Sequence, residues 1–360
     1  MADAVAEQIA ALKDEDWAIR EEAATALGTL RDSRAVVPLV SVLRDTDRAV
    51  REAAIGALTA IGEPSVPALG LCLSDPQVGV QEAASAVLAV IADERVLAPL
   101  IASLRNRDWI VRMHAVKALG RIKDPNSIEP LIPLLQDKVK AVREEVTAAL
   151  AAIGDAAIPS LLAALTHTEW LVRLHAVEAL GKMRSAAAVE PLLSVLFNDH
   201  DTAIREDTIR ALGLIGDPRA LDFLQVALKE PGLRPLAVEA MGHIGDRRAV
   251  PLLIKVLEGE DRPEESRVVA GCGDKWDEEM VTMGAAVRAL GMIADEAAIP
   301  SLLKALRHTI TRADAATALT RFGSKVVAPL LTVMKQESDE NIRFYVKDTL
   351  ANVGWRSGRI

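Results

Sequence analysis

The chain of 360 residues contains few aromatic residues and few cysteines. Aromatic residues make up 3% of the chain, with one tyrosine and four phenylalanines. Because much of the apolar content is alanine, we expect helices that pack closely through small side chains. Cys72 and Cys272, the two cysteines, are too few for a disulfide framework, so the composition predicts a reducing, cytoplasmic setting.

Long apolar runs and basic character are also missing. No apolar run approaches the roughly 18 residues that a membrane span requires, and the first residues lack a basic segment followed by an apolar core. The net charge of −9 argues against a protein that binds a phosphate backbone. The sequence therefore predicts neither a membrane nor a nucleic acid as a partner.

One pattern recurs along the whole chain, namely an acidic turn followed by apolar-Arg-x-x-Ala-apolar-x-Ala-Leu-Gly. NRDWIVRMHAVKALG and HTEWLVRLHAVEALG are two copies of it. The spacing of the recurrent arginine indicates eleven units of about 31 residues, with one step about 18 residues longer. The arginine position is occupied by Arg20, Arg51, Gln81, Arg112, Arg143, Arg173, Arg205, Arg234, Met283, Arg312 and Arg343.

Each unit is predicted to form two helices. The first carries a proline in its first turn, such as Pro38 or Pro99, where the missing N–H costs no hydrogen bond. The second is expected to end at a glycine in the left-handed conformation. These glycines are Gly28, Gly62, Gly120, Gly154, Gly181, Gly216 and Gly323. Such units must stack to bury their apolar faces, so we predict an all-α, right-handed α-solenoid of about eleven helical pairs over residues 1–360.

The unit D-x-x-W-x-V-R-x-x-A-x-x-A-L-G resembles the HEAT-like repeat first described in phycobilisome lyases, the E/Z type, over essentially the whole chain. This resemblance implies that the second helices line the concave groove of the stack. Positions −3 and +1 relative to the recurrent arginine then point into that groove, because they lie opposite the apolar positions of the helix.

Two apolar pairs and five acids occupy these groove positions. Trp109 with Met113, and Trp170 with Leu174, are spaced i, i+4 and should touch; one alternative is that each tryptophan only covers a repeat junction. The groove acids are Glu21, Glu52, Glu82, Glu144 and Glu206. Aromatic anchors within an acidic surround are typical of binding hot spots, so the pattern predicts a protein partner with a basic and apolar surface. The recurrent arginines are interpreted as structural, pairing with turn carboxylates of neighbouring units.

Alternating imidazole and carboxylate groups occupy position +2 of four consecutive units. These groups, His114, Glu145, His175 and Asp207, are weak candidates for metal ligands. The related HEAT-like enzyme deoxyhypusine hydroxylase is expected to bind iron through His-Glu dipeptides after the same arginine. This chain has Met-His and Leu-His there and no His-Glu anywhere. We therefore expect neither a metal nor another cofactor.

The long step falls in the ninth repeat. Residues 258–279 contain nine acidic and three basic residues and are predicted to form an acidic insertion between the two helices of that repeat, as a loop. Cys272, flanked by glycines, and Trp276 lie in it. One interpretation is a solvated acidic loop, and the other is a recognition segment that contacts the partner.

Two functions follow most directly, and both remain open at this stage. The first is a non-catalytic adaptor that binds a protein in its groove, as several members of this repeat family do; one resembled group associates with an A-type iron–sulfur scaffold. The second, which the resemblance implies, is a bilin lyase or bilin chaperone acting on phycobiliproteins. Phosphate-binding glycine loops, paired-cysteine motifs and nucleophile elbows are all missing from the sequence. The oligomeric state is open.

Overall fold

The computed structural model describes residues 3–259 and 273–355, with side chains described from residue 278 in the second range. This part of the chain is helical throughout and forms eleven helical pairs, which confirms the predicted all-α solenoid class. It divides into an N-terminal unit that ends at Met183 and a C-terminal unit that begins at Arg184. We number the helices α1–α22 in chain order. Odd numbers denote the first helix of a pair, and even numbers denote the second helix.

The N-terminal unit contains six pairs. Its helices are α1 Ala4–Ala11, α2 Trp17–Leu30, α3 Val36–Val42, α4 Arg48–Ile61, α5 Val66–Cys72, α6 Val78–Ile91, α7 Leu97–Ser103, α8 Trp109–Ile122, α9 Ile128–Leu131, α10 Lys140–Ile153, α11 Ile158–Ala164 and α12 Trp170–Met183.

The C-terminal unit contains five pairs. Its helices are α13 Val189–Asn198, α14 Thr202–Ile215, α15 Leu221–Ala227, α16 Arg234–Ile244, α17 Val250–Glu258, α18 Gly273–Ile293, α19 Ile299–Ala305, α20 Arg312–Thr320, α21 Val327–Gln336 and α22 Glu340–Asn352. Within each unit, consecutive second helices pack against each other and form one layer.

The first helices are short because a 3₁₀ turn precedes most of them. The turn Glu63–Ser65, for example, leads directly into α5. Pro67, Pro159 and Pro251 lie in the first turn of their helices, as predicted, because proline fixes φ near the helical value and the N–H that it lacks would have no partner there. Leucine side chains from both helices of a pair, such as Leu39 and Leu58, are fully buried.

The glycines of the repeat have two different roles, and only one of them was predicted correctly. Gly62, Gly154 and Gly216 follow the last residue of a second helix with positive φ, which confirms the predicted helix ends there, but only Gly216 has the predicted left-handed conformation. Gly323 lies three residues beyond the end of its helix, at the start of a 3₁₀ turn. Gly28 and Gly120, however, lie inside their helices, each of which continues for two more residues. Gly181 likewise lies inside α12, so the predicted helix ends were wrong at these three positions.

Close packing between neighbouring second helices explains the glycines inside the helices. A Cβ atom on Gly28 would lie 2.8 Å from Ala57 Cα, and one on Gly120 would lie 2.8 Å from Ala149 Cα. Ordinary carbon–carbon contacts are about 3.5–4.0 Å. Glycine at this position therefore lets two second helices approach each other closely.

The predicted acidic insertion overlaps a helix at each of its ends. Helix α17 ends at Glu258, and α18 begins at Gly273 and extends over 21 residues. Residues 273–279 are therefore the first two turns of a second helix and not part of a loop as expected. Glu258 also belongs to the packed structure, since its Oε1 atom accepts hydrogen bonds from Ser301 Oγ at 3.0 Å and from Lys304 Nζ at 2.9 Å.

Candidate functional site

Every second helix of the N-terminal unit begins at the −3 position of its repeat. The residue one turn later, at +1, therefore lies beside it on the same side of the helix. We define the second-helix face by these twelve residues. They are Trp17 and Glu21, Arg48 and Glu52, Val78 and Glu82, Trp109 and Met113, Lys140 and Glu144, and Trp170 and Leu174.

The tryptophans on this face are exposed to a degree that is unusual for this residue type. Trp109 is 40% exposed and Trp170 is 47% exposed, whereas Met113 and Leu174 are half-buried. Both rings stand at the first position of their helices. The structure thus leaves apolar surface open at the two predicted anchor pairs.

Trp17 is a third exposed tryptophan of the same kind. It is 48% exposed and occupies the first position of α2. Sequence reasoning placed it at −3 but did not select it as an anchor, because its +1 neighbour is Glu21 and not an apolar residue. The shared −3 position was the signal that could have identified it.

Three of the five predicted groove glutamates are engaged in ion pairs along their own helices. Arg48 Nε lies 2.6 Å from Glu52 Oε1, and Lys140 Nζ lies 3.3 Å from Glu144 Oε1. In the C-terminal unit, Glu206 lies 3.4 Å from Arg210. These pairs offset charge that we had assigned to the groove. The i, i+4 spacing of these residues would have predicted the three ion pairs from the sequence.

Glu21 and Glu82 are the two glutamates of the predicted set that form no ion pair within the described residues. Both side chains are half-buried. Burial raises the pKa of Glu82, and the nearby carboxylate of Asp108 raises it further. A positively charged partner group placed beside Glu82 would relieve both effects. The uncompensated negative charge of the face is therefore concentrated at these two residues.

The recurrent arginines hold neighbouring repeats together, as predicted. Arg112 Nε and Nη2 donate to the two carboxylate oxygens of Asp137 at 2.7 and 2.8 Å. The Nη1 atom of the same guanidinium donates to the carbonyls of Asn106 and Arg107 at 2.9 and 3.0 Å. Arg20 and Asp45 repeat the two-point contact at 2.7 and 2.8 Å. Guanidinium geometry matches a carboxylate at two points, so we assign a structural role to these residues.

A neutral version of this contact joins the third and fourth repeats. Gln81 occupies the arginine position, and its Oε1 atom accepts a hydrogen bond from Asn106 Nδ2 at 2.7 Å. Asn106 stands 25 residues after Gln81, the same separation as that between Arg112 and Asp137. Both charged partners are thus replaced together, and no charge is left unpaired at this junction.

His175 is buried, and both of its ring nitrogens have partners. Its Nε2 atom accepts from Arg143 Nε at 3.2 Å, and its Nδ1 atom lies 3.0 Å from Glu178 Oε2. Since an arginine only donates, Nδ1 carries the proton and donates it to Glu178. This hydrogen bond lowers the pKa of Glu178. No lone pair of the ring is left for a metal ion.

The other three weak candidates for metal ligands do not form a cluster with one another. His114 Nδ1 lies 3.1 Å from Ser85 Oγ, and burial lowers the pKa of this imidazole. Asp207 pairs with Arg210, and Glu145 is half-buried. Across the described ranges, no three His, Cys, Asp or Glu side chains are grouped closely enough to hold a metal ion. The donor set does not fit the di-iron centre that the resemblance to deoxyhypusine hydroxylase would imply.

Of the two cysteines and Trp276, the structure describes the side chain of Cys72 alone. Cys72 is buried in α5, and burial raises the pKa of its thiol. Cys272 lies outside the described residues. Trp276 lies within α18, but its side chain is outside the described part. The prediction that Cys272 and Trp276 contact a partner thus stays a prediction.

The helices were also compared with the requirements of a membrane span. Of the helices in the described ranges, no single one is both long enough and apolar enough to cross a membrane.

Comparison with known proteins identifies the repeat. The family model for HEAT repeats matches six overlapping segments between residues 5 and 272. The model for the PBS lyase HEAT-like repeat matches residues 284–308.

Three curated relatives share part of the chain. Deoxyhypusine hydroxylase-B of Oryza sativa subsp. japonica is 30% identical over 229 residues, which are 61% of this chain and 74% of that protein. The uncharacterized phycocyanin operon protein Z of Pseudanabaena tenuis is 29% identical over 38% of this chain and 72% of that protein. The phycocyanobilin lyase subunit alpha of Picosynechococcus is 32% identical over 34% of this chain and 53% of that protein.

The solved structures that share the fold include importin-type solenoids. A mutant of Kap121p aligns with 98% of this chain and 46% of its own length at a TM-score of 0.66 and 13% identity. Yeast importin-beta, Kap95p, aligns with 98% of this chain and 57% of its own length at a TM-score of 0.61 and 13% identity. The chain spans about half the length of these structures, and the likeness concerns the fold. On the family match over most of its length, the chain belongs to the HEAT-repeat proteins.

Proposed function

We propose that the chain is a non-catalytic adaptor that binds a partner protein on the second-helix face of its N-terminal unit. The observation that carries this proposal is the exposure of Trp109 and Trp170, each beside a half-buried apolar residue one turn later, Met113 or Leu174. Exposed aromatic rings on a rigid helical layer are suited to desolvation by a partner. Solved structures of this fold include Kap121p bound to the extreme C-terminus of the protein phosphatase Cdc14p, so the fold is one that can bind a protein segment.

The proposed partner presents apolar side chains to the tryptophans and basic side chains to the acids. Glu21 and Glu82 would select the basic groups, because neither has an ion pair within the described residues. Glu52 and Glu144 would contribute less, since each already faces a basic side chain on its own helix. Glu206, which pairs with Arg210, lies in the C-terminal unit and not on this face. Cys272 and Trp276 remain proposed contacts. The low cysteine content supports a reducing, cytoplasmic setting for the adaptor.

The test compares three forms of the full chain as bait in native extract: the parent, the double variant Trp109→Ala/Trp170→Ala, and Leu71→Ala. Leu71 is the matched control, because it is 81% exposed but lies on a first helix of the same unit. We expect a protein that the parent and the control capture and that the double variant loses. With that protein purified, each tryptophan truncation should cost on the order of 2 kcal/mol of binding. Equal capture and equal affinity for all three forms would refute the proposal.

The alternative function is a bilin lyase or bilin chaperone, and the similarity to a phycocyanobilin lyase subunit favours it. In this reading, the exposed faces of Trp109 and Trp170 would contact the tetrapyrrole rings. The same eluates distinguish the two functions by visible absorption. A coloured eluate that requires the tryptophans would support the bilin function, and a colourless protein partner would support the adaptor.

A hydroxylase function is not proposed, although one relative is named for that activity. His175 has both ring nitrogens hydrogen-bonded to protein groups, and His114 stands beside Ser85. His175 therefore offers no free ring nitrogen, and among the described residues no three potential ligands converge as a di-iron site needs.

A further inference from the structure

A pair of exposed phenylalanines lies on two first helices of the C-terminal unit. Phe197 on α13 and Phe223 on α15 are each 39% exposed, and their ring centroids are 6.1 Å apart with an interplanar angle of 50°. Val226, one turn after Phe223, is also exposed. We call these three residues the phenylalanine patch. Two of the four phenylalanines of the chain are thus in contact with each other at the surface.

The sequence context makes the patch distinctive. Phe223 is the third residue of α15, a position where α13 carries Pro191 and α17 carries Leu252. Packing of the repeat therefore does not require an aromatic ring there. The buried side of α15 is supplied by Leu221, Leu224 and Ala227, so the outward rings are free to serve binding.

Acidic charge prevails near the start of these first helices. Arg219 lies 2.7 Å from Asp217 and 3.8 Å from Glu190. Arg248 binds Asp246 at 3.0 Å, and the carboxylate of Asp222 helps to raise the pKa of the Arg248 guanidinium. Four carboxylates thus share two arginines, which leaves a net charge of −2 at this end of the patch.

Two lysines lie near the ends of α15 and α17, where the neighbouring carboxylates Glu230 and Glu258 are already paired with Arg205 and Lys304. Lys229 follows Val226 by three residues, and Lys255 lies near the end of the next first helix, α17. Both lysines are exposed, and neither forms an ion pair with any described residue. An apolar centre therefore lies between an acidic end and a basic end.

The size of the patch decides between two kinds of occupant. With about 200 Å² for a whole phenylalanine, the three exposed side chains present on the order of 250 Å² of apolar area. A stable dimer buries about 800 Å² on each partner. The patch is too small to hold a second copy of this chain by itself, but it is large enough for one or two apolar side chains of a peptide.

We propose that the phenylalanine patch is a second docking surface, which binds a short peptide segment of another protein with an aromatic or aliphatic centre, a basic flank and an acidic flank. The apolar centre packs against Phe197, Phe223 and Val226. The basic flank faces the carboxylates near Phe223, and the acidic flank faces Lys229 and Lys255. This surface is separate from the proposed adaptor site and does not depend on it.

The experiment measures the fluorescence anisotropy of three labelled peptides with the full chain. The probes share the centre FLF and have the flanks KR and ED, KR and KR, or ED and ED. At low salt the mixed-flank probe should bind tightest, and the preference should shrink as salt rises, because these charges are exposed. The double variant Phe197→Ala/Phe223→Ala should weaken binding at least about tenfold. Phe344→Ala is the matched control, since this ring is exposed on α22, and it should bind like the parent.

A charge reversal tests the assignment of the flanks. The double variant Lys229→Glu/Lys255→Glu makes both ends acidic, so it should prefer the probe with two basic flanks. Trp109→Ala/Trp170→Ala should leave binding of all three probes unchanged, which separates this proposal from the adaptor proposal. Three results would overturn it: equal binding after loss of both phenylalanines, an unchanged probe preference after the charge reversal, or a parent dimer that the phenylalanine variant dissociates.

Discussion

Substitution of alanine for Gly120 tests the close packing of the second helices. Gly120 lies inside α8, and a Cβ atom there would meet Ala149 Cβ at 2.7 Å and Ala149 Cα at 2.8 Å. Because one of these atoms belongs to the backbone, the neighbouring helix α10 has to move for the methyl group to fit. Overpacking of this kind typically costs about 1–3 kcal/mol.

Gly56 is the matched control for this substitution. It lies inside α4, a helix of the same length, is exposed, and would have no heavy atom within 4 Å of an added Cβ. Alanine at Gly56 should therefore only gain the helical preference of about 0.5–1 kcal/mol. Gly120→Ala gains the same preference, so the difference between the two variants isolates the steric cost of about 1–3 kcal/mol.

The assay is equilibrium unfolding in urea, followed by circular dichroism, with thermal melts as a second measure. We expect Gly56→Ala to unfold at a higher urea concentration than the parent and Gly120→Ala at a lower one. Adding Ala149→Gly to Gly120→Ala should restore only part of the loss, because Ala149 Cα stays at 2.8 Å. If Gly120→Ala is as stable as Gly56→Ala, the close approach of α8 and α10 is not a constraint on the fold.

Two further predictions concern charge. Arg112→Gln should cost about 2 kcal/mol of unfolding free energy, because it leaves the Asp137 carboxylate, 9% exposed, without its guanidinium partner. Adding Asp137→Asn should recover at least half of this loss in urea unfolding, since it recreates the neutral contact of the third junction; an additive loss would refute the comparison. Glu82→Gln should raise the melting temperature at pH 7, because burial raises the pKa of this carboxyl above its ordinary value of 4.5 and so disfavours its charged form in the folded state. That gain in melting temperature should disappear as the pH falls below about 4.5, because Glu82 of the parent is then neutral, as the glutamine of the variant is. A gain that persists at pH 3 would contradict the assigned cause.

Much of the fold was predictable because the same residue types recur at the same positions in many units. The arginine position fixed the period, and the prolines marked the first helices, so a solenoid of eleven pairs followed from the sequence. The pairing of Arg20 and Arg112 with turn aspartates was predicted as well, since the guanidinium and the carboxylate recur at a constant separation.

The glycines show where local reasoning failed. Gly28 and Gly62 look alike in the sequence, since each follows an Ala-Leu or Ala-Ile run near the end of a second helix. One is a close contact inside a helix, and the other follows a helix end with φ of +77°. Their register in the repeat differs, since Gly28 stands eight residues after Arg20 and Gly62 stands eleven residues after Arg51. Only the packed layer shows that the first of these two positions is the one in close contact with the next repeat.

At the candidate site, too, some features were determined by the sequence and others only by the tertiary structure. The sequence by itself determined that Trp109 and Trp170 stand at equivalent positions two repeats apart, because the helical period relates them. Only the tertiary structure decided that these rings stay exposed and that His175 is fully engaged with Arg143 and Glu178. Periodicity determines which residues share a face, whereas burial and hydrogen bonding depend on side chains that the neighbouring repeat brings into contact.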